Sequence, residues 1–166
     1  MNVNDTRATR QVFYEREIER IDSVLSEFLR LSGAKCALLI DKEGYMITKK
    51  GSARSLDNDT ISALTAGSFA ATKEMARLLG EDEFSVLYHQ GKRENIQLTL
   101  VGDRLLLTVI FDDQTTLGMI RLYAKETAKK LVEVLERETR DDANPSVDFG
   151  SGFSSSAKDK LDTLFS

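Results

Sequence analysis

The sequence is poor in the residues that most often build chemical sites or covalent links. It contains one cysteine, one histidine, one proline and no tryptophan among its 166 residues. A single cysteine excludes an internal disulfide framework, and a single histidine without a cysteine cluster argues against a zinc site. Cys36 lies in the apolar run AKCALLI, so we expect a buried core residue in a reducing compartment.

Long apolar runs and an excess of basic charge are also missing. No apolar segment approaches the roughly 20 residues of a membrane span, and the first residues lack the apolar region of a signal peptide. The net charge is −4, which argues against nucleic acid as the main ligand. We therefore expect a cytoplasmic protein that binds neither membrane nor nucleic acid.

Hydrophobic periodicity predicts three helices and five strands. The predicted helices cover residues 11–31, 60–80 and 115–138, and the predicted strands cover residues 35–40, 45–48, 84–90, 95–101 and 104–111. The order α-β-β-α-β-β-β-α predicts an α+β fold. In this fold a five-stranded antiparallel sheet lies between the central helix on one face and the two terminal helices on the other.

Composition divides the chain into four parts. Residues 1–10 are polar and predict a flexible N-terminus, and residues 11–138 predict one compact domain. Residues 139–156 hold the only proline together with serine and glycine, a composition typical of a linker. Residues 157–166 place Leu161, Leu164 and Phe165 on one side of a short amphipathic segment. Because so short a helix is not stable alone in water, we expect it to fold on a partner.

The predicted helix at residues 60–80 has two different faces. The expected core face is apolar, and it consists of Ile61, Leu64, Ala71, Met75, Leu78 and Leu79. Small residues form a stripe roughly opposite, which longer polar residues extend: Ala63, Ala66, Gly67, Ala70, Lys73, Glu74 and Arg77. Small side chains let another backbone approach, so we interpret the stripe as a contact surface. Helix propensity alone is the alternative explanation of the alanines.

Phe69 lies on neither of these faces. A large aromatic residue on a second outward side is unusual unless another subunit covers it, which makes Phe69 a candidate dimer contact. The alternative is that its ring packs under the loop that follows Lys50.

A catalytic constellation is absent from the sequence. His89 ends a predicted strand beside a turn, and Cys36 has no obvious base nearby, so neither is expected to be catalytic or to bind metal. Asp41, Asp112 and Asp113 end strands, where turn and cap roles explain them. No glycine-rich phosphate loop is complete. We therefore expect no catalytic residue, no metal and no cofactor.

The element order and several segments resemble Roadblock/LC7 domains, which have a profilin-like fold. The similar segments are residues 39–44, 64–81, 89–91 and 111–122, within a resemblance that spans roughly residues 11–138. Within that family the chain is most similar to bacterial regulators of a small Ras-like GTPase in cell polarity and gliding motility.

The resemblance implies a non-enzymatic homodimer that binds a small Ras-like GTPase in its GTP-bound state. A location at the cell pole is a further option that the resemblance raises for this cytoplasmic protein. It implies that GTP hydrolysis is stimulated without an arginine finger, and that the C-terminal segment modulates nucleotide exchange. The implied GTPase contacts are Ala63, Ala66, Gly67, Ala70, Lys73, Glu74, Arg77, Leu161, Leu164 and Phe165. The implied dimer contacts are Phe69, Ala71, Thr72, Ala76, Phe84, Val86 and Tyr88. A Roadblock scaffold without effect on hydrolysis is the alternative function, and a ligand-sensing module is a weaker one.

Overall fold

The computed structural model describes residues 3–53, 57–81 and 84–143, and the side chains of residues 15–53, 57–81 and 84–137. The predicted contacts Leu161, Leu164 and Phe165 lie outside the described residues. Within them the chain forms α1 (Val3–Ser32), β1 (Cys36–Asp41), β2 (Met46–Gly51), α2 (Asn58–Leu78), β3 (Val86–Gln90), β4 (Asn95–Val101), β5 (Leu105–Phe111) and α3 (Leu117–Ala143). The predicted α+β order is confirmed.

The five strands form one antiparallel sheet in the spatial order β2-β1-β5-β4-β3. Strands β1 and β5 lie at the centre and are buried along nearly their whole length, because helices cover both faces of the sheet. Strand β3 pairs only with β4 and forms one edge. The outer main-chain groups of β3 therefore have no strand partner within the described part of the chain.

The main core lies between the sheet and the two terminal helices. Phe28 of α1 and Leu131 of α3 pack there against the side chains of β5 and its neighbours, including Phe111. These apolar residues recur on one side of each helix, which is the pattern that buries an amphipathic helix on a sheet. The terminal helices therefore share one face of the sheet, as predicted.

Helix α2 covers the other face through two smaller clusters. One contains Cys36 and Leu38, with Ile61 packed against it, and the other contains Phe69 and Leu98. The side of α2 that reaches these clusters is narrow, so much of the helix surface faces away from the sheet.

Several element boundaries differ from the sequence-based prediction. Strand β2 ends at Gly51 rather than at residue 48, and α3 ends at Ala143 rather than at residue 138. Helix α1 begins at Val3, earlier than residue 11, and β3 begins at Val86 rather than at residue 84. The loop between β4 and β5 spans residues 102–104, one residue longer than predicted, because Val101 pairs with Leu105. None of the helices in the described residues carries an apolar stretch long enough for a membrane crossing.

Candidate interaction surface of α2 and β3

Both ends of α2 are fixed by hydrogen bonds that its sequence supplies. The Asp57 carboxylate accepts a bond of 2.7 Å from the Thr60 hydroxyl, and bonds from the main-chain N–H groups of Asp59 and Thr60. These bonds, the Thr60 hydroxyl first, lower the pKa of Asp57. At the other end Gly80 has φ +81°, and the N–H of Glu81 donates back into the helix at 2.9 Å. The direction of each α2 side chain is therefore well defined.

The face of α2 that contacts the sheet is small and partly polar. Its buried residues are Ser62, Thr65, Ala66 and Phe69. The Ser62 hydroxyl donates to the carbonyl of Asn58 at 2.6 Å, so its polar atom is satisfied within the helix. Phe69 is the one large apolar side chain among these buried residues.

The prediction that the apolar side of α2 packs into the core is wrong. Leu64, Met75, Leu78 and Leu79 are 62%, 62%, 76% and 82% exposed, and Ala71 beside them is exposed as well. We call these five residues the apolar stripe. Ile61, the remaining member of the predicted face, is half-buried against the sheet. Exposed apolar groups on this scale mark an interaction surface more often than a free surface.

The prediction that Phe69 points outward is also wrong. Its side chain is only 2% exposed and its ring stacks on Phe84 beside Leu98 and Leu106. The single chain already covers this ring, so it has almost no surface left for a second subunit. Phe84 is half-buried and lies just before β3, where the stack connects α2 to the edge of the sheet.

The stripe of small residues is divided between the core and the surface. Ala63, Gly67 and Ala70 are exposed, whereas Ala66 is buried against the sheet. An added Cβ at Gly67 would meet no atom within 4 Å outside its own helix. The exposed members leave a shallow strip of backbone that another molecule can approach closely.

The polar continuation of this stripe is exposed. The Arg77 guanidinium donates two hydrogen bonds to the Glu74 carboxylate, one of them from Nε at 2.9 Å, and this pairing raises the pKa of Arg77. Lys73 is exposed on the same part of the helix and takes part in no ion pair among the described residues. Arg77 is thus held along its own helix by Glu74.

The remaining predicted dimer contacts lie around the end of α2 and the β3 edge. Val86 is 39% exposed, while Thr72 and Ala76 are half-buried. Tyr88 is half-buried on the opposite face of the sheet from α2, where its ring stacks on Phe111 with centroids 6.1 Å apart. Val86 and Tyr88 thus lie in the edge strand, and Tyr88 faces the terminal helices, whereas α2 with its apolar stripe lies across the sheet.

The groups considered for chemistry have structural roles. Cys36 is fully buried in β1, and burial raises the pKa of its thiol, which keeps it protonated. The Asp41 carboxylate accepts two main-chain N–H bonds of the β1–β2 turn, and that of Asp112 accepts one from Gln114. Within the described residues no cluster of histidine, cysteine and carboxylate side chains could hold a metal ion.

The exposed apolar residues that the sequence analysis placed in the core form the apolar stripe. Their hydrophobicity was visible, but a single sequence does not say whether an apolar helix face meets its own sheet or another chain.

Residues 20–111 match the sequence model of the Roadblock/LC7 domain family. The chain belongs to the Roadblock/LC7 family. This Roadblock/LC7 chain is 36% identical to Myxococcus xanthus MglB, with a TM-score of 0.68 over 71% of this chain and 96% of that one. It is 37% identical to the gliding protein MglB of Thermus thermophilus, with a TM-score of 0.67 over 75% and 92% of the two chains. It is also 36% identical to the chain of a solved structure of MglB with tetrameric arrangement, with a TM-score of 0.67 over 76% of this chain and 92% of that one.

Proposed function

We propose that this chain is an MglB-like homodimer that regulates a small MglA-like GTPase in cell polarity and motility. The observation that carries the proposal is the exposed apolar stripe of α2 in a chain that is 36–37% identical to MglB structures. The regulator has no chemistry of its own, and it stimulates GTP hydrolysis by favouring the catalytic arrangement of the GTP-bound partner.

The apolar stripe supports self-association. Burying one large apolar side chain stabilises a contact by about 1.5–3 kcal/mol, and four such side chains lie exposed on α2. The edge strand β3 offers unpaired main-chain groups that can bind the same strand of a second copy. Two copies related by a twofold axis would thus extend the sheet through β3 and cover the apolar stripes.

The exposed small residues support docking of the GTPase beside the dimer contact. Ala63, Gly67 and Ala70 lie on the flank of α2 between the apolar stripe and the sheet, and we call these three residues the docking strip. Arg77 is the one arginine of α2, and its exposed guanidinium is paired with Glu74. Such an exposed pair contributes little, so it does not hold the guanidinium back from a partner. The mechanism in which the partner's own residues perform the hydrolysis therefore rests on the similarity to MglB. The tail residues Leu161, Leu164 and Phe165 remain proposed contacts that modulate exchange.

GTP turnover by a small MglA-like GTPase, with and without this protein, tests the proposal. We expect stimulation by the wild type and its loss in Ala70→Arg, which places a long cation on the proposed docking strip. Ser26→Arg is the matched control, because Ser26 is an exposed small residue on the distant helix α1. Unchanged turnover in Ala70→Arg would contradict the surface assignment.

The same experiment separates a scaffold from an activator. A scaffold would bind the GTPase in a pull-down without changing its turnover, and Ala70→Arg would then reduce binding alone. Turnover unchanged by the wild-type protein, with binding intact, would favour the scaffold.

A further inference from the structure

A groove of about 890 Å³ separates α3 from the edge of the sheet, on the face opposite α2. Its floor includes Val86 and Tyr88 of β3 and their cross-strand partners Thr99 and Gln97 of β4. Its wall is α3 between residues 121 and 133, a length of about 18 Å at 1.5 Å per residue. The groove belongs to one chain and is separate from the apolar stripe.

The wall of the groove is basic although the chain is acidic. Arg121, Lys125 and Lys129 are exposed and line the groove at i, i+4 and i+8, so they form one row along α3. Glu133 continues the row at i+12, so this side of the groove carries three cations and one carboxylate. None of the three cations takes part in an ion pair among the described residues, and the whole chain has a net charge of −4. The row is therefore a local surplus of positive charge that an acidic ligand can neutralise.

The floor of the groove combines apolar contact with an unsatisfied polar group. Val86 and Val132 supply apolar surface, and Gln97 is 1% exposed. The Gln97 side chain donates to the Thr99 hydroxyl at 3.2 Å, but its Oε1 has no hydrogen-bond partner among the described residues. Gln97 is too buried to contact a ligand, so the contact surface of the floor is the apolar surface of Val86 and Val132.

We propose that this groove binds an acidic amphipathic helix of a partner protein. Carboxylates at i, i+4 and i+8 repeat every 6 Å or so along a helix, which is the spacing of the cations on α3. Apolar side chains on the adjacent face of that helix pack over Val86 and Val132, in the manner of a helix in a groove. The apolar floor makes this ligand a better fit than a nucleic acid.

The site is compatible with the proposed dimer. Pairing of two β3 strands uses main-chain groups at the edge and leaves the side chains of Val86 and Tyr88 on the α3 face. Charge reversal on α3 also leaves α2 intact, so we expect it to preserve stimulation of GTP turnover. Failure of the groove proposal and failure of the proposed function are therefore distinguishable.

Fluorescence anisotropy with the full chain tests the proposal. The probe is a labelled helix-forming peptide of roughly 12 residues, with glutamates at i, i+4 and i+8 and leucines on the adjacent face. We expect binding that weakens as salt rises from about 0.1 M to about 1 M. The double variant Lys125→Glu, Lys129→Glu should bind about tenfold more weakly or worse, because like charges then face each other.

Two controls fix the meaning of the result. Lys130→Glu reverses an exposed charge on α3 that does not line the groove, and it should bind like the wild type. A peptide with lysine in place of each glutamate should not bind. Equal binding by the wild type and the double variant, with matching thermal melts, would overturn the site. Sedimentation with phosphatidylserine vesicles that is lost in the double variant, without peptide binding, would overturn it in favour of a membrane surface.

Discussion

The ring of Phe69 stacks on the ring of Phe84, with centroids 5.4 Å apart and planes inclined by 30°. Because Phe69 is the one large apolar side chain of α2 that is fully buried, this contact holds the helix onto the β3 side of the sheet. We expect Phe69→Ala to lower the free energy of unfolding by about 3–5 kcal/mol, through lost apolar burial and a cavity.

Urea denaturation followed by circular dichroism measures this loss. Leu122→Ala is the matched control, since Leu122 is 53% exposed on α3 and its truncation should cost less than about 0.5 kcal/mol. Equal effects of the two substitutions would mean that α2 is held by contacts other than the aromatic stack.

Helix α2 shows where prediction from the sequence stops. Its existence and its end at Gly80 follow from local signals, and the sequence offers Asp57, Asn58 and Asp59 as N-caps, of which the structure uses Asp57. Its orientation was not, because the more apolar side faces outward and the side on the sheet contains Ser62 and Thr65. Amphipathicity assigns the most apolar face to the chain's own core, and in α2 that face is exposed instead.

The sheet was predicted better than the orientation of α2, because its turns depend on residues that are close in the sequence. The Asp41 carboxylate organises the β1–β2 turn through bonds to neighbouring main-chain groups, so a few residues determine it. The groove beside α3 depends instead on side chains that are distant in the sequence. Gln97 and Lys125 come together only through strand register and helix packing, and no local pattern reports them.

Self-association should depend on the apolar stripe. Leu64→Glu and Met75→Glu each place a charge among apolar groups that the proposed dimer buries, and we expect light scattering to show a monomer where the wild type is a dimer. Leu122→Glu changes an equally exposed leucine elsewhere and should leave the mass unchanged. A wild-type monomer, or dimers in all three variants, would contradict the assignment.

Arg77→Ala separates the two ways of activating a GTPase. Since the proposed mechanism uses the partner's own catalytic residues, we expect stimulation of GTP hydrolysis to change by less than about tenfold. Loss of an arginine finger costs on the order of 10³-fold or more. Arg20→Ala, at an exposed arginine of α1, controls for the loss of a positive charge.

Stability should fall in acid through Asp57. Its pKa is lowered from the ordinary value of 3.8 by bonds from Thr60 and Asp59, so its contribution is complete above about pH 4 and is lost as the pH falls through the lower folded value. Asp57→Asn retains an N-cap acceptor without a titrating group and should be less sensitive to acid. Thermal melts between pH 2 and 7 compare the two proteins, and parallel curves would exclude Asp57 as a source of the acid sensitivity.

Two glycines should respond oppositely to alanine. At Gly51 φ is +84°, and an added Cβ would lie 2.1 Å from the carbonyl oxygen of Lys35, so Gly51→Ala should lower the free energy of unfolding by more than about 1 kcal/mol. Gly67 lies inside α2 with open space around it, so Gly67→Ala should raise that free energy by up to about 1 kcal/mol.

Urea denaturation measures the change in the free energy of unfolding for both variants. GTP turnover with Gly67→Ala then tests why a glycine occupies this position of α2. If the added methyl group stabilises the free protein yet reduces stimulation of the GTPase, the missing side chain serves close approach of the partner and not the fold. Stimulation that is unchanged in the more stable variant would remove Gly67 from the docking strip and leave Ala63 and Ala70 as its small residues.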